Sequence, residues 1–128
     1  MNRVRGVTLL ELIIVLVVVA ILAAVAYPSY SHHVRKGARK EAMVAMLDLA
    51  GRMERIRTQL FKYQSASIYN TQRYQFTVTV PDDGGSFVVT AAPNTNQAAD
   101  PCGTIALNSK GSWSFSKEGN TVSNDECL

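Results

Sequence analysis

Charge is scarce and almost balanced in this sequence. Across 128 residues, 13 Lys and Arg stand against 10 Asp and Glu, a formal net charge of +3; setting aside Arg3 and Arg5, which precede a long apolar run, leaves 11 against 10. So even a balance excludes bulk polyanion binding driven by net charge. Cysteine is just as sparse: Cys102 and Cys127 are the only two, with no CxxC spacing and no histidine nearby, which argues against a zinc site. The two histidines, His32 and His33, are adjacent. On a helix their side chains diverge by about 100° and cannot grip one ion. No P-loop, HExxH, dinucleotide fingerprint or Ser/His/Asp set occurs. No catalytic residue, metal or cofactor is therefore expected, and the chain does not read as an enzyme.

What the sequence does have is one long hydrophobic run. From Leu12 to Tyr27 it is uncharged and built of Leu, Ile, Val and Ala, which with its flanks approaches the roughly 20 residues that cross a bilayer as a helix. Arg3 and Arg5 before it would hold the short N-terminal end in the cytoplasm and send everything after Tyr30 to the outer side. A second reading fits the same residues: Met1–Arg5 as the basic start of a secretory signal, Leu12–Leu22 as its apolar centre, and Ala24-Val25-Ala26 as a cleavage site releasing a soluble protein from Tyr27. Glu11 bears on the choice. A carboxylate inside a spanning helix costs on the order of 2.5–3.5 kcal/mol and usually marks a functional contact. Were the chain cut after Gly6, the freed amine of Val7 would lie one turn from Glu11 and, with a pKa near 8, be mostly charged. The amine could then neutralise Glu11 within one chain, or between chains staggered along the helix. Alternatively, Glu11 sits at headgroup level, favoured by the helix dipole.

Gly6-Val7-Thr8-Leu9-Leu10-Glu11, a short basic leader before it, the apolar run after it and Tyr27-Pro28-Ser29-Tyr30 together resemble the N-terminal signal of type IV prepilins and related pseudopilins. The resemblance implies a cleaved leader (1–6) removed by a prepilin peptidase, methylation of the new N-terminus at Val7, and an assembly role for Glu11. It also implies an apolar helix (7–34) kept on the mature subunit, first in the inner membrane and then in the filament core. Pro28 matches a proline common in these helices. Val7 departs from the family, which most often has phenylalanine there.

Pro28 removes a backbone donor and crowds the preceding turn, so a kink is expected near Ala24–Pro28. The helix is expected to run on from about Thr8 to about Phe61. Ala38, Ala42, Ala45, Leu49, Met53, Ile56 and Leu60 form a stripe of helical period, with Arg35, Lys36, Arg39, Lys40, Glu41, Arg52 and Arg55 assigned to other faces. Gly37 and Gly51 are either flexible points or places of close packing. Residues 64–72 are a polar connection. Tyr74–Val80 alternates as a half-buried strand, Pro81–Gly85 is a turn, and the stretch from Ser86 is a second strand of a hairpin. Thr104–Leu107 and Ser112–Phe115 flank Asn108–Gly111 as a second hairpin. Ser116–Glu126 is too polar to pack alone. A Cys102–Cys127 disulfide, worth about 3 kcal/mol, is therefore expected to tie this tail back to the sheet, with two buried free thiols as the alternative. In the family resembled, a disulfide bounds the C-terminal segment.

The expected fold is thus α+β: a long N-terminal helix packed on a small antiparallel sheet, with a head at 35–128 (helix 35–62, sheet and C-terminal loop 73–128). The expected role is a structural subunit of a type IV pilus, a minor pilin, serving twitching motility, adhesion or DNA uptake. A major pilin, a DNA-binding competence pilin, a secretion pseudopilin and the secreted form cut after Ala26 stand as alternatives. Expected partners are other pilin subunits, the prepilin peptidase, the pilus assembly machinery, membrane lipid and, in the competence reading, DNA. For Arg35, Lys36, Arg39 and Lys40, salt bridges between subunits are favoured over phosphate contacts. Lys110, Lys117 and Trp113 are a second candidate contact, with Trp113 favoured as a core residue.

Overall fold

The computed structural model describes residues 6–128; Arg3 and Arg5, and with them most of the expected leader, lie outside the described residues. Thr8 starts the first helix. Its Oγ1 accepts the Glu11 backbone N–H at 3.3 Å and its carbonyl accepts that of Leu12 at 3.2 Å, the arrangement that caps a helix when threonine stands three residues before glutamate. Helix α1 then runs Leu9–Leu60 with Pro28 inside it. It ends where Phe61 takes a φ of 59° while its N–H still bonds the Arg57 carbonyl at 2.7 Å, close to the end expected from the sequence.

The chain divides into two compact units between Val34 and Arg35. In the first, every described residue from Gly6 to Tyr30 is exposed. Nothing in this unit covers the Leu, Ile and Val side chains of α1, and α1 is long and apolar enough to cross a membrane.

The second unit holds strands β1 (Tyr74–Thr79), β2 (Val88–Pro93), β3 (Thr104–Asn108), β4 (Trp113–Lys117) and β5 (Asn120–Val122), an antiparallel meander in that order. Tyr74 pairs with Pro93, Val88 with Asn108, Ile105 with Phe115 and Phe115 with Val122. Alternation along β1 buries Tyr74 and half-buries Phe76 and Val78, as its sequence indicates. The core joins Ala42, Met43, Met46, Leu49 and Met53 of α1 to Tyr74, Val89, Ala91, Ile105, Leu107 and Phe115.

One sequence reading needs correction, and a second gains detail. Of the expected helical stripe, Ala42, Leu49 and Met53 are buried, but Leu60 is 48% exposed, and Met43 and Met46, outside that stripe, are buried as well. Adjacent stripes share one period, and the larger, adaptable methionine side chains fill the space above the sheet better than alanines do. The polar tail after Ser116 is also more ordered than its composition indicates: it completes β4, forms β5 and ends in a short helix α2, Asn124–Cys127. A Cys102–Cys127 disulfide ties α2 back. Next to it, Gly103 has φ +59, and a Cβ there would stand 2.3 Å from the Ser116 carbonyl oxygen, so glycine alone fits.

Candidate functional site

Among the sequence candidates at the chain's start, Gly6 and Val7 precede α1 and Glu11 lies in its first turn, all exposed. The Glu11 carboxylate has no hydrogen-bond or ion-pair partner among the described residues. Thr8, which the sequence reading did not single out, supplies the cap; the T-x-x-E spacing was its signal. Pro28 is exposed in the helix interior. His32 and His33 meet edge to face, ring centroids 6.1 Å apart.

The basic residues after the apolar run do different things. Arg39, assigned to a solvent face by periodicity, is buried and pairs through Nη1 with Asp100 Oδ1. Around this ion pair, Tyr74 Oη donates to Asp100 Oδ2 at 3.2 Å, and Gln97 Nε2 reaches the Arg35 carbonyl at 2.8 Å and Tyr74 Oη at 3.1 Å. Lys117 Nζ donates to the Asp100 carbonyl at 3.1 Å. Burial pushes the Tyr74 phenol up to about 12, so it stays a donor. Lys40 bonds the Leu128 carbonyl. Arg39, Lys40 and Lys117 are thereby engaged within the head. Trp113 is half-buried against the core, while Lys110 remains exposed.

Cations gather instead at the end of α1. Arg57 Nη1 donates to Tyr63 Oη at 3.1 Å, and Tyr63 donates to Glu54 Oε1 at 2.6 Å; burial, then the Glu54 bond, raise the Tyr63 phenol. Arg52 Nε lies 3.2 Å from Asp48 Oδ2 but outside hydrogen-bond geometry, so that nitrogen is buried without a partner. Arg55 and Lys62 are exposed. Arg52, Arg55, Ile56 and Gln59 face Ser65, Ala66 and Ser67 across an open groove of about 610 Å³. In contrast, the exposed positions of the sheet are Gln75, Thr77 and Thr79 on β1, Val88 and Ala92 on β2, Ser114 and Ser116 on β4, and Asn120 and Thr121 on β5, none of them charged.

The model of a family described as type IV minor pilin ComP, DNA uptake sequence receptor, matches residues 28–106, and that of the prokaryotic N-terminal methylation motif matches residues 1–27. The chain is similar to a solved type IV pilin from Shewanella oneidensis, with 31% identity over 70% of this chain and 99% of that one and a TM-score of 0.59. It shares a fold with the non-core minor pilin PilV of Neisseria meningitidis, with 24% identity over 69% of this chain and 92% of that one and a TM-score of 0.54. The comparison with curated proteins gives no match. An uncovered apolar helix beside a methylation motif fits insertion in a membrane and then burial among other pilin subunits. Helix, sheet, disulfide and both family matches agree: the chain is a type IV pilus subunit and belongs to the family of the type IV minor pilin ComP.

Proposed function

We propose that this subunit is a DNA receptor of its pilus. The observation that carries the reading is the match of the DNA uptake sequence receptor family across residues 28–106, which takes in most of the head. With a net charge of only +3, affinity must come from local clustering, and the exposed cations at the end of α1 supply that. The chain acts by binding, with no catalytic chemistry. A peptidase cut after Gly6, methylation of Val7 and inner-membrane residence with the N-terminus cytoplasmic precede assembly. Glu11 then pairs with a Val7 amine as the assembly machinery draws the subunit into the filament, and Pro28 loosens the helix for that packing.

The test is DNA binding by the full chain in a neutral detergent, measured by gel shift from 50 to 200 mM salt. Binding that weakens with salt is expected, since each neutralised duplex phosphate contributes about 0.9 to the logarithmic slope. No retained DNA at 50 mM salt would contradict the reading.

A further inference from the structure

We infer that the groove between the last turns of α1 and the Ser65–Ser67 segment is a phosphodiester subsite that holds the DNA backbone without reading its sequence. The inference rests on the DNA-receptor reading and specifies where the polyanion is held. Arg52 and Arg55 are three residues apart, so they are neighbours on one helix face, about 5–6 Å between Cβ atoms. Their guanidinium groups therefore converge on one groove, which both residues line.

The groove's donors are largely unspent. Arg55, Gln59, Ser65 and Ser67 make no side-chain hydrogen bond or ion pair among the described residues, and Arg52 Nε, though 3.2 Å from Asp48 Oδ2 in an ion pair, makes no hydrogen bond. A phosphate, with several acceptor oxygens and a charge, matches this set; guanidinium pairs with it in bidentate fashion. Of the head's other cations, Arg39, Lys40, Arg57, Arg73 and Lys117 are bonded within it, whereas Arg35, Lys36, Lys62 and Lys110 make no side-chain bond among the described residues but do not line this groove. Nearby Glu54 is engaged by the Tyr63 hydroxyl. That leaves Asp48 as the one carboxylate competing for Arg52.

Size and lining restrict the ligand further. A volume of about 610 Å³ lies in the range of sites for whole organic ligands, well beyond a lone oxyanion. Ile56 and Ala66 give it an apolar floor for sugar carbons, and no aromatic side chain lines it to stack on a base. Contacts confined to phosphate and sugar fix position and carry no sequence information. Sequence preference, where the receptor has one, then arises elsewhere on the head.

The test measures affinity and salt slope for two duplexes of unrelated sequence with the full chain in neutral detergent. Arg55→Ala and Arg52→Ala are each expected to weaken both duplexes about tenfold and to lower the salt slope by about one. Asp48→Asn is expected to tighten both, an effect that damaged folding cannot imitate. Wild-type binding that survives Arg52→Ala and Arg55→Ala unchanged, or is weakened by Asp48→Asn, would overturn the groove while leaving the DNA reading intact; no wild-type binding would overturn both. Two further arms separate sources of the same chemistry. Inorganic phosphate at constant ionic strength and vesicles containing an anionic phospholipid are offered to the same variants. Arginine-dependent binding to either, with DNA affinity unaltered, would assign the groove to a free ion or to a lipid headgroup and overturn the inference.

Discussion

Tyr74 is fully buried, yet its hydroxyl donates to Asp100 and accepts from Gln97. Burial is the main cause that pushes its pKa up to about 12, with the Asp100 charge adding to it. The folded value lies above the ordinary 10.0, so the protonated phenol's contribution is complete below about pH 10 and is lost as pH rises towards about 12. One such group tilts stability by at most about 1.4 kcal/mol per pH unit. Tyr63, also raised, acts in the same direction. Tyr74→Phe is expected to flatten the fall in stability between pH 10 and 12, as measured by urea midpoints; an unaltered slope would refute Tyr74 as its main source. Arg39 marks what the sequence hides at this scale. Periodicity counts a charge as a solvent position, and the partner that pays for its burial, Asp100, lies 61 residues away. Thr8 was legible in principle, because threonine three places before Glu11 is a local signal.

At the scale of elements, the Arg39–Asp100 pair joins α1 to the segment before β3, while Tyr74 brings in β1 and Lys117 brings in β4. Removing one partner strands a buried charge. Asp100→Ala is therefore expected to destabilise the head by about 3–5 kcal/mol, whereas the double change Arg39→Met with Asp100→Leu should cost far less. Thermal unfolding of both variants checks this, and equal losses would contradict it. Elements with strong patterns were read well: α1 by its uncharged apolar run and the helical-period stripe after it, β1 and β2 by alternation around a Pro-Asp-Asp-Gly-Gly turn, β3 and β4 around Asn108–Gly111. The turn at Asn108 works as its chemistry indicates, with Oδ1 accepting the N–H groups of Lys110 and Ser112 at 3.0 and 2.9 Å. β5 and α2 escaped notice because Asn120–Val122 and Asn124–Cys127 are too short and polar for a period to register. Pairing with β4 and the disulfide hold them, and neither is a local property.

The whole molecule combines an apolar stretch of helix without cover in its own unit and a head, the second unit, closed by sheet, ion pair and disulfide. An exposed apolar surface of that length must be covered, and hydrocarbon and a bundle of helices are about equally apolar, so orientation in the filament has to come from packing and polar pairs. Glu11 is the charged group in the apolar stretch of α1. Glu11→Ala is expected to leave membrane insertion intact and to lower the subunit's content in pili, read on a quantitative blot of sheared filaments; unchanged content would argue against the pairing. The apolar part of α1 was legible because a long uncharged run is a local property of the sequence. The groove at Arg52 and Arg55 was not, since it exists only when Ser65–Ser67 folds back beside the helix. Mass spectrometry of the chain recovered from sheared pili reads its first residue, its methylation and its disulfide in one spectrum. The expected product starts at a methylated Val7 and carries the Cys102–Cys127 bridge; a chain that starts at Tyr27, or is absent from filaments, would contradict cleavage after Gly6 followed by assembly into pili.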